Sequence, residues 1–264
     1  MDISKFFDKN EKPLDNLLDG AGFCGIFRTI GVVGDSLSSG EFEVLSKEGI
    51  KAYHDFYEYS WGQYMARAAG NTVYNFTRGG MTAKEFMESW GEENGCFDES
   101  KAAQAYIIAL GVNDVLNGYC ERGTVADIDL EHPENNGKTF MGYMAQLIDR
   151  YKKIAPKARF FLMTPPHTVK TTPEVIDGMA QLIYDLAALY DFTYIIDFAK
   201  YAPPHDMEFR RNFYLGGHLS AAGYQLTAWQ IMSYIDYIVR NNPDDFRQIA
   251  FVGKNDGHHV KFKW

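Results

Sequence analysis

The chain is poor in cysteine and in uninterrupted apolar sequence. Its 264 residues hold three cysteines, Cys24, Cys96 and Cys120. The number is odd and no Cys-x-x-Cys spacing occurs, which argues against a disulfide framework or a cysteine-built zinc site and leaves reduced thiols. No run approaches the ~18 consecutive apolar residues of a membrane-spanning helix. The opening MDISKFFDKNEKPLDNLLDG mixes charge with apolar residues and shows neither an apolar h-region nor a small-residue cleavage site, so a cytoplasmic protein without membrane contact is expected. Positive charge is also short. The formal net charge is −9 and the basic residues are scattered, with Lys152-Lys153 and Arg210-Arg211 the only adjacent pairs. Nucleic-acid binding needs clustered Lys and Arg to displace counterions, so no such partner is expected.

What is present is enough apolar sequence, 46% hydrophobic with 15% aromatic, to bury the core of one α/β domain over 1–264. Short apolar runs at 29–33, 72–75, 105–109, 159–163 and 193–196 read as strands. Segments of helical period at 59–69, 82–90, 139–154, 173–190 and 220–241 separate or follow them. The alternation predicts a three-layer, flavodoxin-like, doubly wound parallel five-stranded sheet. Residues 1–28 form an N-terminal extension and 244–264 a C-terminal tail, whose FRQIAFVG suits an extra strand, a subunit contact or, preferably, a packed extension. The polar 117–138 stretch reads as a loop over a site. No repeat or linker divides the chain.

Ligands of doubly wound sheets bind outside the carboxyl ends of the strands, so the segments leaving those ends are read together. Gly34-Asp35-Ser36-Leu37 follows the first run, Arg78-Gly79-Gly80-Met81-Thr82 the second and Gly111-Val112-Asn113-Asp114 the third, while Gly217-His218 precedes the last helix. In isolation Ser36 reads equally well as a helix N-cap, and His218 as an ordinary half-buried histidine.

Together, in this order, the four blocks resemble the SGNH/GDSL hydrolase superfamily. The resemblance implies Ser36 as nucleophile and His218 as general base. It also implies Gly80 and Asn113 as oxyanion-hole donors alongside the Ser36 backbone N–H. Gly79 stays open as the alternative to Gly80, which is favoured because Thr82 completes a Gly-x-Thr pattern. The chemistry suits these residue types. A serine hydroxyl is a weak nucleophile until an imidazole takes its proton, and preorganised N–H donors stabilise the oxyanion that attack creates. Ser38 stands where a Gly-x-Ser-x-Gly elbow would end, which sets the chain apart from α/β-hydrolases.

One position departs from the family pattern: Leu215 stands three residues before His218, where the family usually has aspartate. Either the Leu215 carbonyl orients the imidazole, giving a Ser-His dyad, or Asp206 or Glu208 supplies a carboxylate. Arg78 reads as a salt-bridge residue, with a substrate contact as the alternative because it precedes the glycines, and His167, leaving the fourth strand, as a pocket residue. The Tyr53–Trp61 aromatics suit core packing or sugar stacking. His258 and His259 read as surface tail, and neither a metal nor a cofactor is expected.

The resemblance implies a serine esterase acting on small-molecule esters, short-chain or carbohydrate O-acyl. An acyltransferase with the same site, or a non-catalytic ligand-binding module on the same fold, are the alternatives, and homo-oligomerisation is left open. A nucleotide binder on this sheet would need a phosphate cradle, and no G-x-x-x-x-G-K-[ST] occurs.

Overall fold

The computed structural model describes residues 7–253. In chain order it contains β1 (Thr29–Gly34), α1 (Ser36–Ser39), β2 (Glu41–Leu45), β3 (Lys51–Asp55), α2 (Trp61–Ala69), β4 (Thr72–Thr77), α3 (Ala83–Glu85), α4 (Gly91–Glu93) and β5 (Ala105–Ala109). There follow α5 (Phe140–Ile154), β6 (Arg159–Thr164), α6 (Pro173–Ala187), β7 (Thr193–Asp197), α7 (Phe198–Tyr201), α8 (Met207–Phe213), β8 (Tyr214–Leu215), β9 (His218–Leu219), α9 (Ala221–Asn241) and α10 (Pro243–Phe246).

Five parallel strands pair in the order β4-β1-β5-β6-β7. This is the doubly wound sheet read from the sequence. Each strand sends alternate side chains to opposite faces, as the two-residue period requires. Val33, Ile108, Phe160 and Leu162 join the α5 and α6 side, where Phe140, Leu147 and Ile183 pack. Val32, Ile107, Phe161 and Met163 join the α2 and α9 side with Trp61, Met65, Ile231 and Ile235. Because β1 lies between β4 and β5, the chain departs in opposite directions on either side of it. A crevice opens at that switch point above the strand ends.

Several expected boundaries move. The first helix starts at Trp61, with Ser60 as N-cap accepting from the Gln63 N–H, and Tyr57–Tyr59 forms a separate turn. The helix expected over 82–90 is α3, capped by Thr82, continuing through a wide turn at Phe86–Trp90 into α4. FRQIAFVG is not a strand. Ile249–Phe251 is a short 3-10 turn whose carbonyls accept from Arg28 and Gln104, and Phe246, Ile249 and Val252 are buried, so this part of the tail is a packed extension. His258 and His259 lie outside the described residues. Gly20-Ala21-Gly22-Phe23-Cys24-Gly25 carries the letters of a dinucleotide-binding glycine pattern, yet it precedes β1 instead of following a strand, and its Gly22–Ile26 turn packs on α9.

The β2–β3 hairpin, absent from the sequence reading, is a separate two-stranded antiparallel sheet between α1 and α2. Phe42 turns inward onto Phe56, Tyr59 and Tyr224. Glu41 and Glu43, two residues apart, share the opposite face.

Candidate active site

The site is built from the first residues after each strand. Asp35 is the N-cap of α1: its Oδ1 accepts the Leu37 N–H at 3.0 Å, and its carbonyl accepts from Ser38 and Ser39. Ser36 is therefore the first residue of a four-residue helical turn, closed by Gly40 at φ +80°. The buried Tyr224 hydroxyl, from α9, lies 2.7 Å from the Glu41 carbonyl and 3.1 Å from the Ser36 carbonyl, tying the turn to the start of β2. Asp35 is fully buried, and its carboxyl is pushed up to about 7, chiefly by loss of solvation.

After β4, Gly80 adopts φ +72° with open space where a Cβ would stand, so it is the backbone conformation that calls for glycine. After β5, Val112–Leu116 forms one wide turn closed by Asn117 N–H to the Val112 carbonyl at 3.0 Å. Asn113 is held at both ends of its amide. Its Nδ2 donates to the Met81 carbonyl at 3.0 Å, and its Oδ1 accepts from Asn117 Nδ2 at 2.8 Å. Met81 offers only an acceptor, so the amide has one workable orientation, with its second N–H uncommitted. Buried Asp114 accepts the N–H groups of Ala83 and Lys84, bracing the Gly80-Met81-Thr82 segment against this turn.

His218 opens β9, the second arm of a two-residue-turn hairpin in which it pairs with Leu215. Its Nε2 lies 2.9 Å from Glu41 Oε1, with 17% and 14% of the two side chains exposed. Its Nδ1 is buried without a hydrogen-bond partner, so the Leu215 carbonyl does not accept from it here. Burial holds the imidazole below its ordinary value and the Glu41 carboxyl above its own. Glu43 accepts the Gly217 N–H at 2.7 Å and pairs with Lys51 at 2.7 Å; that hydrogen bond to Lys51 is the main reason its carboxyl is held low.

Ser36, Gly80, Asn113 and His218 line one cleft of about 830 Å³, together with Glu41, Glu43, Lys51, Tyr53, Lys170 and Arg210. An apolar side cavity of about 80 Å³ adjoins it, lined by Leu37, Trp61, Leu110, Met163, Phe198 and Leu219 among others. The two share Asp35, Leu37, Val112, Pro165, Pro166, His205 and Tyr214. The arrangement offers a hydroxyl, an imidazole and two donors around one space, which are the parts required for acyl transfer.

The remaining expected residues fall elsewhere. Gly79 is covered by the Glu41 carboxylate, into which a Cβ would run. Arg78 pairs with Glu85 at 2.6 Å and His167 with Asp177 at 3.2 Å; neither lines the cleft. Asp206 caps α8 by accepting the Phe209 N–H at 2.8 Å, and Glu208 is exposed on the same helix. Neither pairs with His218, whose carboxylate neighbour is Glu41. His205 was not singled out by sequence. It is buried against the cleft with Nδ1 2.8 Å from the Tyr214 hydroxyl, and burial pushes its pKa down to about 4.

Comparison with known proteins identifies the family and the fold. The GDSL-like Lipase/Acylhydrolase family model matches residues 32–226. No curated protein matches in sequence. Among solved structures, a family two carbohydrate esterase from Clostridium thermocellum in complex with cellohexaose is similar at 14% identity and TM-score 0.55, over 83% of this chain and 65% of that one. The psychrotrophic esterase EstA from Pseudoalteromonas sp. is similar at 14% identity and TM-score 0.54, over 81% and 100%. A putative lipolytic protein of the G-D-S-L family from Desulfitobacterium hafniense DCB-2 is similar at 15% identity and TM-score 0.51, over 78% and 99%.

Proposed function

Because the chain belongs to the GDSL-like Lipase/Acylhydrolase family, we propose that it is a serine esterase that removes short acyl groups, carbohydrate O-acyl groups first among them, through an acyl-enzyme. The observation that carries this reading is the convergence of Ser36, Gly80, Asn113 and His218 on one cleft at the strand ends. Ser36 Oγ bonds to the ester carbonyl carbon as its proton passes to His218. The oxyanion is received by the N–H groups of Ser36 and Gly80 and the free N–H of Asn113. His218 then protonates the alkoxide as the C–O bond breaks, leaving Ser36 acylated. A water attacks this ester, gives its proton to His218, and the imidazole returns that proton to Ser36 Oγ as the carboxylic acid leaves.

The choice of acyl group rests on volume and polarity. The side cavity is apolar and small enough to favour a short chain over a long one. The wide cleft, with charged and aromatic side chains on its rim, suits a polyhydroxylated alcohol part, and a similar fold carries a carbohydrate esterase. The test is a series of p-nitrophenyl esters of increasing acyl length and a panel of O-acetylated sugars, with wild type and Ser36→Ala. Ser36-dependent hydrolysis that falls with chain length is expected. Equal background rates in both proteins would favour a binding module, and acyl transfer outrunning hydrolysis when a sugar acceptor is added would favour a transferase.

A further inference from the structure

We infer that Glu41 is the carboxylate that positions His218, filling from the β2–β3 hairpin the role left vacant by leucine at position 215. This inference rests on the esterase reading of the same cleft. Three observations carry it. Glu41 Oε1 stands 2.9 Å from His218 Nε2, both side chains largely shielded from water. The carboxylate has a built seat, because Gly79 lacks the Cβ that would displace it, and Tyr224 fixes the Glu41 main chain to that of Ser36. Two residues along the same face, Glu43 grips the turn before His218 through the Gly217 N–H. The strand that carries Glu41 therefore also holds the loop that carries the imidazole.

The contact assigns the ring nitrogens. With its proton on Nε2, donated to Glu41, neutral His218 keeps the Nδ1 lone pair, and that nitrogen is the buried one without a partner. When Ser36 Oγ bonds to the acyl carbon, its proton goes to Nδ1. The imidazolium so formed has Glu41 against its other N–H, and the proton leaves again with the alcohol. The two nitrogens thus exchange the duties they have in a chymotrypsin-type triad. Other charged or titratable groups face the ring as well: Glu43 from β2, Lys51, Tyr53 and Asp55 from β3, and Lys170 from the segment after β6. Among these acids Glu43 is engaged by Lys51 and Gly217, and Asp55 receives the Ser39 hydroxyl.

The test compares Glu41→Gln and Glu41→Asp with wild type on a short-chain ester across pH, with the His218 tautomer followed by ¹⁵N NMR. Glu41→Gln should lose up to ~10⁴ in kcat, as amide replacement does in a triad. Its kcat/KM acid limb should move to lower pH because a negative charge beside the imidazole is gone, and Glu41→Asp should recover part of the loss. Wild type should show His218 protonated on Nε2 at neutral pH. A Glu41→Gln enzyme of unchanged or raised kcat overturns the assignment, as does a lowered kcat with an unmoved acid limb, or an Nδ1-protonated tautomer. The tautomer measurement needs neither a variant nor turnover. A wild type without Ser36-dependent hydrolysis would instead remove the esterase reading.

Discussion

The side-chain Nδ2 of Asn113 donates to the main-chain carbonyl of Met81 at 3.0 Å, joining the loop after β5 to the loop after β4. The bond fixes where the second amide N–H points, and it does so before substrate arrives. Asn113→Ala is expected to lower kcat by ~10²–10³, the effect of removing one oxyanion donor. It should also cost about 1–3 kcal/mol in urea unfolding, because buried partners of the amide are left unpaired. A raised KM with unchanged kcat would make Asn113 a substrate-binding residue instead.

Ser36 differs from Asn113 in having no structural duty: its hydroxyl makes no hydrogen bond within the described residues, and the turn is held by Asp35 and Tyr224. Ser36→Ala should therefore lose ~10⁶ in kcat and change stability by less than about 0.5 kcal/mol. A fluorophosphonate should label Ser36 stoichiometrically. Labelling of another serine, read by peptide mass spectrometry, would move the nucleophile.

The sheet and three of the strand-end blocks were legible because their signals are local. Apolar runs mark β1, β5 and β6, and Ser36, Gly80 and Asn113 each stand within a few residues of a strand end. Glu41 was not legible, for two physical reasons. Its hairpin has no strongly buried face, with Val44, Leu45, Ile50 and Tyr53 all exposed, so the two-residue alternation that marks a half-buried strand is faint. Its partner His218 lies far along the chain and meets it only through folding. The carboxylates near His218 in sequence, Asp206 and Glu208, sit instead on helix α8, away from the imidazole.

Asp206 gives a control for that distinction. Its carboxylate caps α8, and a cap lost to alanine costs about 1 kcal/mol. Asp206→Ala should lower the free energy of unfolding measured in urea by that amount, and Asp206→Asn, which keeps the acceptor, should not. Neither Asp206→Asn nor Glu208→Gln should shift the acid limb of kcat/KM. A shift in either would place that acid beside the imidazole in solution.

Asp35 makes a prediction about stability and pH. Its carboxyl is raised from 3.8 to about 7, first by burial, with the Asp114 and Glu41 charges adding to the rise and the Leu37 N–H opposing it. Between those two values the folded chain holds a proton that the unfolded chain has released, so stability falls as pH rises through the window. The contribution is fully present below the unfolded value and is lost above about 7. At 1.36 kcal/mol per unit the full loss is on the order of 4 kcal/mol. Asp35→Asn keeps an oxygen for the Leu37 N–H and cannot ionise. Urea unfolding at pH 5 and pH 8 should show a smaller drop for Asp35→Asn than for wild type, and at pH 8 the variant should be the more stable. Because Glu41, Glu43 and Asp114 titrate in both proteins, the difference between the two drops isolates Asp35. Equal drops would mean that its carboxyl ionises as readily in the fold as in the unfolded chain.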